Sequence, residues 1–180
     1  MTLLVATGVQ AEVFHSKESA LRLAFPDADT VTPRNFFISD AQKAEAEALG
    51  GAALESRMVT CYVGARAGQI LGYAFIDTHL VRTLPETLMV VLAPDGRVRA
   101  THLLAFHEPP EYQPPRRWLR QFAERRLGPS VRLGADIVAI AGSSMTSEAV
   151  TAGIRRVLAL YEVLLRPSGG ARAGGVRPGA

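Results

Sequence analysis

Two consecutive hairpin patterns in the middle of the chain constrain its fold more than any other feature. Runs rich in Val, Ile, Tyr and Phe span 58–65 and 69–78, with a short glycine-bearing loop between them. A second pair of runs, 87–93 and 97–106, flanks the turn sequence Pro94-Asp95-Gly96. Short loops of this kind between β-rich runs are typical of antiparallel hairpins. This region therefore predicts an antiparallel sheet of four or more strands.

Helical patterns lie on either side of the hairpins. Ser16 caps a short predicted helix that ends before Pro26, and Ser39 with Gln42 forms a capping box for a helix that continues to Leu49. The C-terminal region predicts a long amphipathic helix, because its apolar residues recur at helical spacing. These residues are Val150, Ile154, Val157, Leu158, Tyr161, Leu164 and Leu165. Together with the hairpins, the pattern predicts an α+β fold in which helices pack on the sheet.

A proline-rich connection and a basic run separate the hairpins from the last helix. The segment 107–115 holds four prolines, which predicts an extended crossover, and a helix is expected from Pro115 to Leu127. This predicted helix contains five arginines together with Trp118 and Phe122. One interpretation is a solvated face with both aromatic rings turned inward. The alternative is a docking surface for an acidic partner or a membrane.

Charge and composition limit the function classes. The chain of 180 residues carries a net charge of +3, but the last fifteen residues hold three arginines and no acid. The remaining residues are therefore neutral overall, and no duplex-binding nucleic-acid surface is predicted. Residues 1–11 are either the remnant of a secretory signal or a first strand, and the Gly/Arg/Pro-rich residues 168–180 are predicted to be disordered. Cys61 lies in an apolar run and is predicted to be a buried small hydrophobe.

A small, hydroxyl-rich turn precedes the last helix. The apolar run 136–141 leads into Gly142-Ser143-Ser144-Met145-Thr146, and the helix follows. The first N–H groups of a helix have no internal partner, and the helix dipole is positive at that end. Such a turn suits a phosphate, although many ordinary helices also begin with Ser or Thr as caps.

The same segment resembles the FMN-binding domain family. That family occurs in the flavoprotein subunits of sodium-pumping NADH:quinone oxidoreductase and of the Rnf complex, and in related exported electron-transfer proteins. Its Ser/Thr-Gly-Ala-Thr-x-Ser/Thr motif is similar to residues 141–146, with departures at Ala141, Ser143 and Ser144. Further likenesses are Gly68 with Gly72-Tyr73-Ala74-Phe75, and His107-Glu108-Pro109-Pro110-Glu111-Tyr112.

The resemblance implies an FMN-binding domain over residues 12–167 and a role for each part of the motif. Thr146 would contact the flavin phosphate or accept it as an ester, formed by a dedicated flavin transferase. The turn before it would wrap the phosphate and ribityl chain, and a second group of residues would lie near the isoalloxazine ring. The turn residues are Gly142, Ser143, Ser144 and Met145, and the second group is Glu108, Pro109, Tyr112, Tyr73 and Thr83.

The resemblance also implies a redox partner protein, such as a membrane electron-transfer complex, and a location outside the cytoplasm. The four histidines show no metal-ligand spacing, and no P-loop or nucleophile elbow is present. The leading expectation is an FMN-binding electron carrier. A flavin-free docking module of the same fold is the alternative, and a flavin reductase is a weaker one because no nicotinamide fingerprint is present.

Overall fold

The computed structural model describes residues 12–166, which form an α+β fold around one antiparallel sheet. Six strands lie in the order β1-β6-β5-β4-β3-β2. They are β1 (Glu12–Val13), β2 (Thr30–Phe37), β3 (Met58–Arg66), β4 (Gln69–Leu80), β5 (Pro85–Leu92) and β6 (Val98–Phe106). The helices are α1 (Lys17–Ala24), α2 (Asp40–Gly50), α3 (Arg116–Leu119) and α4 (Ser144–Leu164). The α+β prediction is confirmed, and the predictions for residues 1–11 and 168–180 lie outside the described residues.

The two predicted hairpins form the centre of the sheet as β3–β4 and β5–β6. Ala67 and Gly68 both have positive φ in the first turn, which is the geometry that a tight hairpin requires. In the second turn Gly96 has φ of +84°, and a Cβ there would lie 2.2 Å from the ring of Tyr161. The hydroxyl of Tyr161 donates to Pro94 O at 2.8 Å, so α4 is fixed to this turn.

The sheet is covered on both faces. The larger core lies under α2, α3 and α4 and includes Cys61, Phe75, Val90 and Ile154. A smaller core lies under α1 on the opposite face. Cys61 is fully buried, as predicted, and burial raises the pKa of its thiol to about 12. No helix within 12–166 is both long and apolar enough to cross a membrane.

The helix predicted from Pro115 to Leu127 is wrong in its length. α3 ends at Leu119, a single 3₁₀ turn follows over 120–122, and the chain then becomes irregular. The cause is tertiary, because Glu124 N donates to Val98 O and Val98 N donates to Arg125 O. These two bonds pair the segment 124–125 with the start of β6, so its main-chain groups are not used for helical hydrogen bonds. Trp118 and Phe122 are nevertheless buried, as the inward-facing interpretation predicted.

Candidate functional site

Three chain segments meet at one end of the sheet: the β4–β5 loop (81–84), the crossover 107–112 and the start of α4. A single carboxylate oxygen joins the first two, since Glu108 Oε1 accepts from the N–H groups of Arg82, Thr83 and Leu84 at 3.1, 2.8 and 2.9 Å. His107 N also donates to Pro85 O at 3.2 Å. The structure therefore brings together Glu108 and Thr83, two of the predicted site residues.

Glu108 is buried, and its charge is stabilised by the loop around it. Burial alone would raise its pKa, but the three main-chain N–H donors and the Arg82 guanidinium hold the pKa below the usual value for a glutamate. An ionised Glu108 thus fixes the position of the β4–β5 loop relative to the crossover.

The turn before α4 presents unpaired main-chain donors. Gly142 has φ of +80°, and the space where a Cβ would lie is open. Ser143 is the N-cap of α4 but makes no side-chain capping bond. Within residues 12–166, the N–H groups of Ser144, Met145 and Thr146 have no hydrogen-bond acceptor. The first turn of this 21-residue helix therefore offers three adjacent N–H donors.

Ser147 stabilises this turn through two hydrogen bonds of its hydroxyl. Its Oγ accepts from Ile140 N at 2.8 Å and donates to Ser143 O at 3.0 Å. Because Ser147 uses its hydroxyl in this way, it does not cap the first-turn donors. Ser144 and Met145 are exposed, whereas Thr146 is buried.

Thr146 joins the helix to the crossover. Its Oγ1 donates to Tyr112 O at 2.8 Å, and the residue is only 1% exposed. Ser143 Oγ makes a longer bond of 3.5 Å to Glu111 O. Thr146, Ser143 and Tyr112 are therefore close together in the structure.

The crossover itself is rigid at this point. Pro109 precedes a 3₁₀ turn formed by Pro110–Tyr112. The Arg82 guanidinium lies 5.7 Å from the centre of the Tyr112 ring, within cation–π range. An exposed cation thus stands beside the crossover.

The structure does not bring Tyr73 to this cluster. Tyr73 is buried near the opposite end of β4, where its ring packs against Tyr161 with centroids 5.9 Å apart. Its position is that of a core residue.

Sequence reasoning missed a buried charged network between the sheet and α4. His79 Nδ1 lies 2.7 Å from Asp77 Oδ2, and His79 Nε2 lies 2.8 Å from Glu86 Oε1. Arg156 completes the network by donating to both oxygens of Asp77, at 2.9 and 2.8 Å. The available signal was the spacing of Asp77 and His79, which places both side chains on one face of a strand.

The network holds a positively charged histidine. Burial alone would lower the pKa of His79, but its hydrogen bonds to Asp77 and Glu86 and their charges raise it to about 9. Burial raises the pKa of Glu86, although His79 opposes this effect. Glu86 is fully buried, and its Oε2 has no hydrogen-bond partner in the described part of the chain.

Gly153 allows α4 to approach this network. A Cβ at this position would lie 2.8 Å from Asp77 Oδ2 and 2.9 Å from His79 Cε1. The described residues contain no group of three His, Cys, Asp or Glu side chains arranged to hold a metal ion.

The chain matches no protein-family model, and it has no significant match among the curated proteins. Its function must therefore be argued from its own residues and their geometry.

Proposed function

We propose that this protein binds FMN through the phosphate at the start of α4 and carries electrons on the flavin. The observation that carries the proposal is the set of three consecutive N–H groups, Ser144 to Thr146, that have no acceptor in residues 12–166. They stand at the positive end of a long helix, where an anion is stabilised. The similarity of residues 141–146 to the FMN-binding motif supports a flavin phosphate as this anion.

The donor set fits a phosphate in its chemistry. Main-chain N–H groups and the Ser144 hydroxyl are neutral donors, and Arg82 adds a positive charge beside Tyr112 of the crossover. Gly142 gives the backbone the positive φ that the turn requires. These groups would bind the phosphate without needing a side chain to move.

Thr146 has two candidate roles. Its hydroxyl now donates to Tyr112 O, so it fixes the crossover against α4. An ester would form if a flavin transferase moved the FMN phosphoryl group from a flavin dinucleotide to this hydroxyl, breaking the phosphoanhydride bond and releasing the nucleoside monophosphate. The hydroxyl would lose its proton in this step, so its hydrogen bond to Tyr112 O would have to open. Pro109 and Tyr112 would then form a rigid wall beside the isoalloxazine ring.

The bound flavin would accept and release electrons, and the protein's residues would set its orientation and exposure. On this proposal the electrons pass to or from a redox partner protein of a membrane electron-transfer complex, on the outer side of the cytoplasmic membrane. No acid–base catalytic residue is assigned, because a carrier of this kind needs none.

The test compares FMN with riboflavin, which lacks the phosphate, by fluorescence titration of protein freed of flavin. We expect FMN to bind at least about tenfold more tightly than riboflavin, since charge-assisted hydrogen bonds contribute over 1.4 kcal/mol in total. Gly142→Val should remove this preference, because a β-branched residue does not tolerate positive φ. Gly134→Val is the matched control, since Gly134 has φ of +76° and open space around it.

Equal affinity for the two flavins would overturn the phosphate site. Loss of the preference in both glycine variants would show a general effect of backbone strain. Protein that is isolated colourless and binds neither flavin would contradict the proposal as a whole.

A flavin-free docking module is the second candidate, and one observation favours it. Arg116, Arg117 and Arg120 are exposed and make no ion pair within the described residues. By contrast, Arg125 and Arg126 pair with Asp136 and Asp95. Unpaired arginines on one short segment are suited to an acidic partner. Colourless protein that binds neither flavin would favour this role.

A further inference from the structure

A cavity of about 620 Å³ lies beside β6, next to the crossover that carries Tyr112. Its apolar wall includes Phe14, Leu23 and Leu119. Gln113 and Pro114, from the proline-rich segment 107–115, also line it. This volume is in the range of pockets that bind small molecules.

The cavity contains a stretch of the outer edge of β6 that is unpaired within residues 12–166. At one end Val98 bonds to Glu124 and Arg125, and at the other Leu104 O accepts from Phe14 and His15. Between them, no described segment pairs with the outer edge over 99–103. Main-chain donors and acceptors are therefore available there, and Thr101, which lines the cavity, has a buried Oγ1 without a partner.

The charge around the cavity is positive. Arg99, Arg116 and Arg120 line it, and none of them pairs with an acid within 12–166. His15 and His102 also line it, and no Asp or Glu does. Burial, followed by the nearby charges of His15 and Arg116, lowers the pKa of His102. An anion would therefore be attracted to this rim.

From these observations we infer a second binding site here, which takes a small amphipathic anion: an apolar ring or short chain that carries one acidic group. The apolar wall would bind the body of the ligand, and the arginines would bind the acid. The free edge spans only about 16 Å at the usual rise of a strand, and it is covered at both ends. A long partner strand would collide with the segments bonded to Val98 and Leu104 at the two ends. A compact molecule therefore fits better than an added β-strand. This inference does not depend on the proposed flavin site.

The test uses two fluorescent probes with the same ring system. Anilinonaphthalene sulfonate carries one negative charge, and phenylnaphthylamine is its neutral counterpart. We expect one sulfonate probe to bind per chain, and we expect Arg116→Gln/Arg120→Gln to weaken it about fivefold or more. Binding of the neutral probe should be unchanged in this variant. Leu23→Ser should weaken both probes, because Leu23 belongs to the apolar wall and is half exposed.

Arg117→Gln is the matched control, since Arg117 is an exposed, unpaired arginine of the same helix that does not line the cavity. It should leave the affinity for the sulfonate probe within about twofold of the wild type. An effect equal to that of the double variant would overturn the inference, because it would show a general surface-charge effect. Non-saturating binding, or equal losses for both probes, would overturn it as well.

Two competitors define the ligand class and the independence of the site. Decanoate should displace the sulfonate probe, whereas decanol, of the same chain length, should displace it weakly. FMN should not displace the probe at concentrations that fill the site at α4. Displacement by FMN would place the flavin in this cavity and would overturn the inference of a second site, without affecting whether FMN binds.

Discussion

The hydroxyl of Thr146 donates a 2.8 Å hydrogen bond to the carbonyl oxygen of Tyr112. This bond connects the first turn of α4 to the proline-rich crossover and hides Oγ1 from solvent. The N–H groups of Ser144, Met145 and Thr146 in the same turn have no acceptor in the described chain. The site therefore combines a crossover bonded to the helix with three unpaired N–H donors, which suits a ligand that binds by its phosphate.

Glu108→Ala should destabilise the protein by roughly 2–3 kcal/mol, because it leaves three N–H groups of the β4–β5 loop without their acceptor. Urea unfolding measures the change in free energy. Glu111→Ala is the control, since Glu111 is exposed and its side chain makes no hydrogen bond in the described residues. Surface substitutions usually change the free energy of unfolding by less than about 0.5 kcal/mol. If the unfolding free energies of the two variants differ by no more than this, Glu108 does not have the role described.

Stability should fall as pH rises through the folded pKa of His79. The pKa of His79 is about 9 in the folded protein, above its ordinary value of 6.5, so its stabilisation is full below pH 6.5 and is lost toward pH 9. The loss in the free energy of unfolding should be about 3 kcal/mol. Urea unfolding at a series of pH values measures it. His79→Gln should flatten this dependence, and an unchanged slope in the variant would assign the loss to other groups.

Gly153→Ala should destabilise the protein, although alanine is normally better than glycine in a helix by about 1 kcal/mol. The added Cβ would lie 2.8 Å from Asp77 Oδ2, so α4 would have to move away from the charged network. We expect a net loss of roughly 1–3 kcal/mol in thermal or urea unfolding. Increased stability would show that the helix has room at this position.

Local sequence signals were sufficient for the two central hairpins of the sheet and for the start of α2. The residues of both hairpin turns adopt positive φ at Gly68 and Gly96, and the capping box of Ser39 and Gln42 is present in the structure. These features depend on residues close together in the chain, so a local pattern could reveal them. The same is true of α4, whose apolar stripe packs on the sheet.

Features that depend on distant pairing could not be predicted in this way. The helix expected over 115–127 ends early because Glu124 and Arg125 bond to Val98 of β6. The charged network needs the register that sets His79 opposite Glu86, and it needs Arg156 from α4. The sequence placed Thr146 and Tyr112 at one site by resemblance, but the bond between them results from how the crossover packs on the helix.

The most direct test of the central claim is the intact mass of the protein purified from its native host, measured beside its visible absorption spectrum. We predict a yellow protein whose flavin is lost in Thr146→Val but kept in Thr151→Val, where a second buried hydroxyl of α4 is removed away from the first turn. A mass excess of one FMN less water that is lost in Thr146→Val would establish the ester at Thr146, and an unmodified mass with yellow colour would establish non-covalent binding. A colourless protein of unmodified mass that takes up no added FMN would contradict the account.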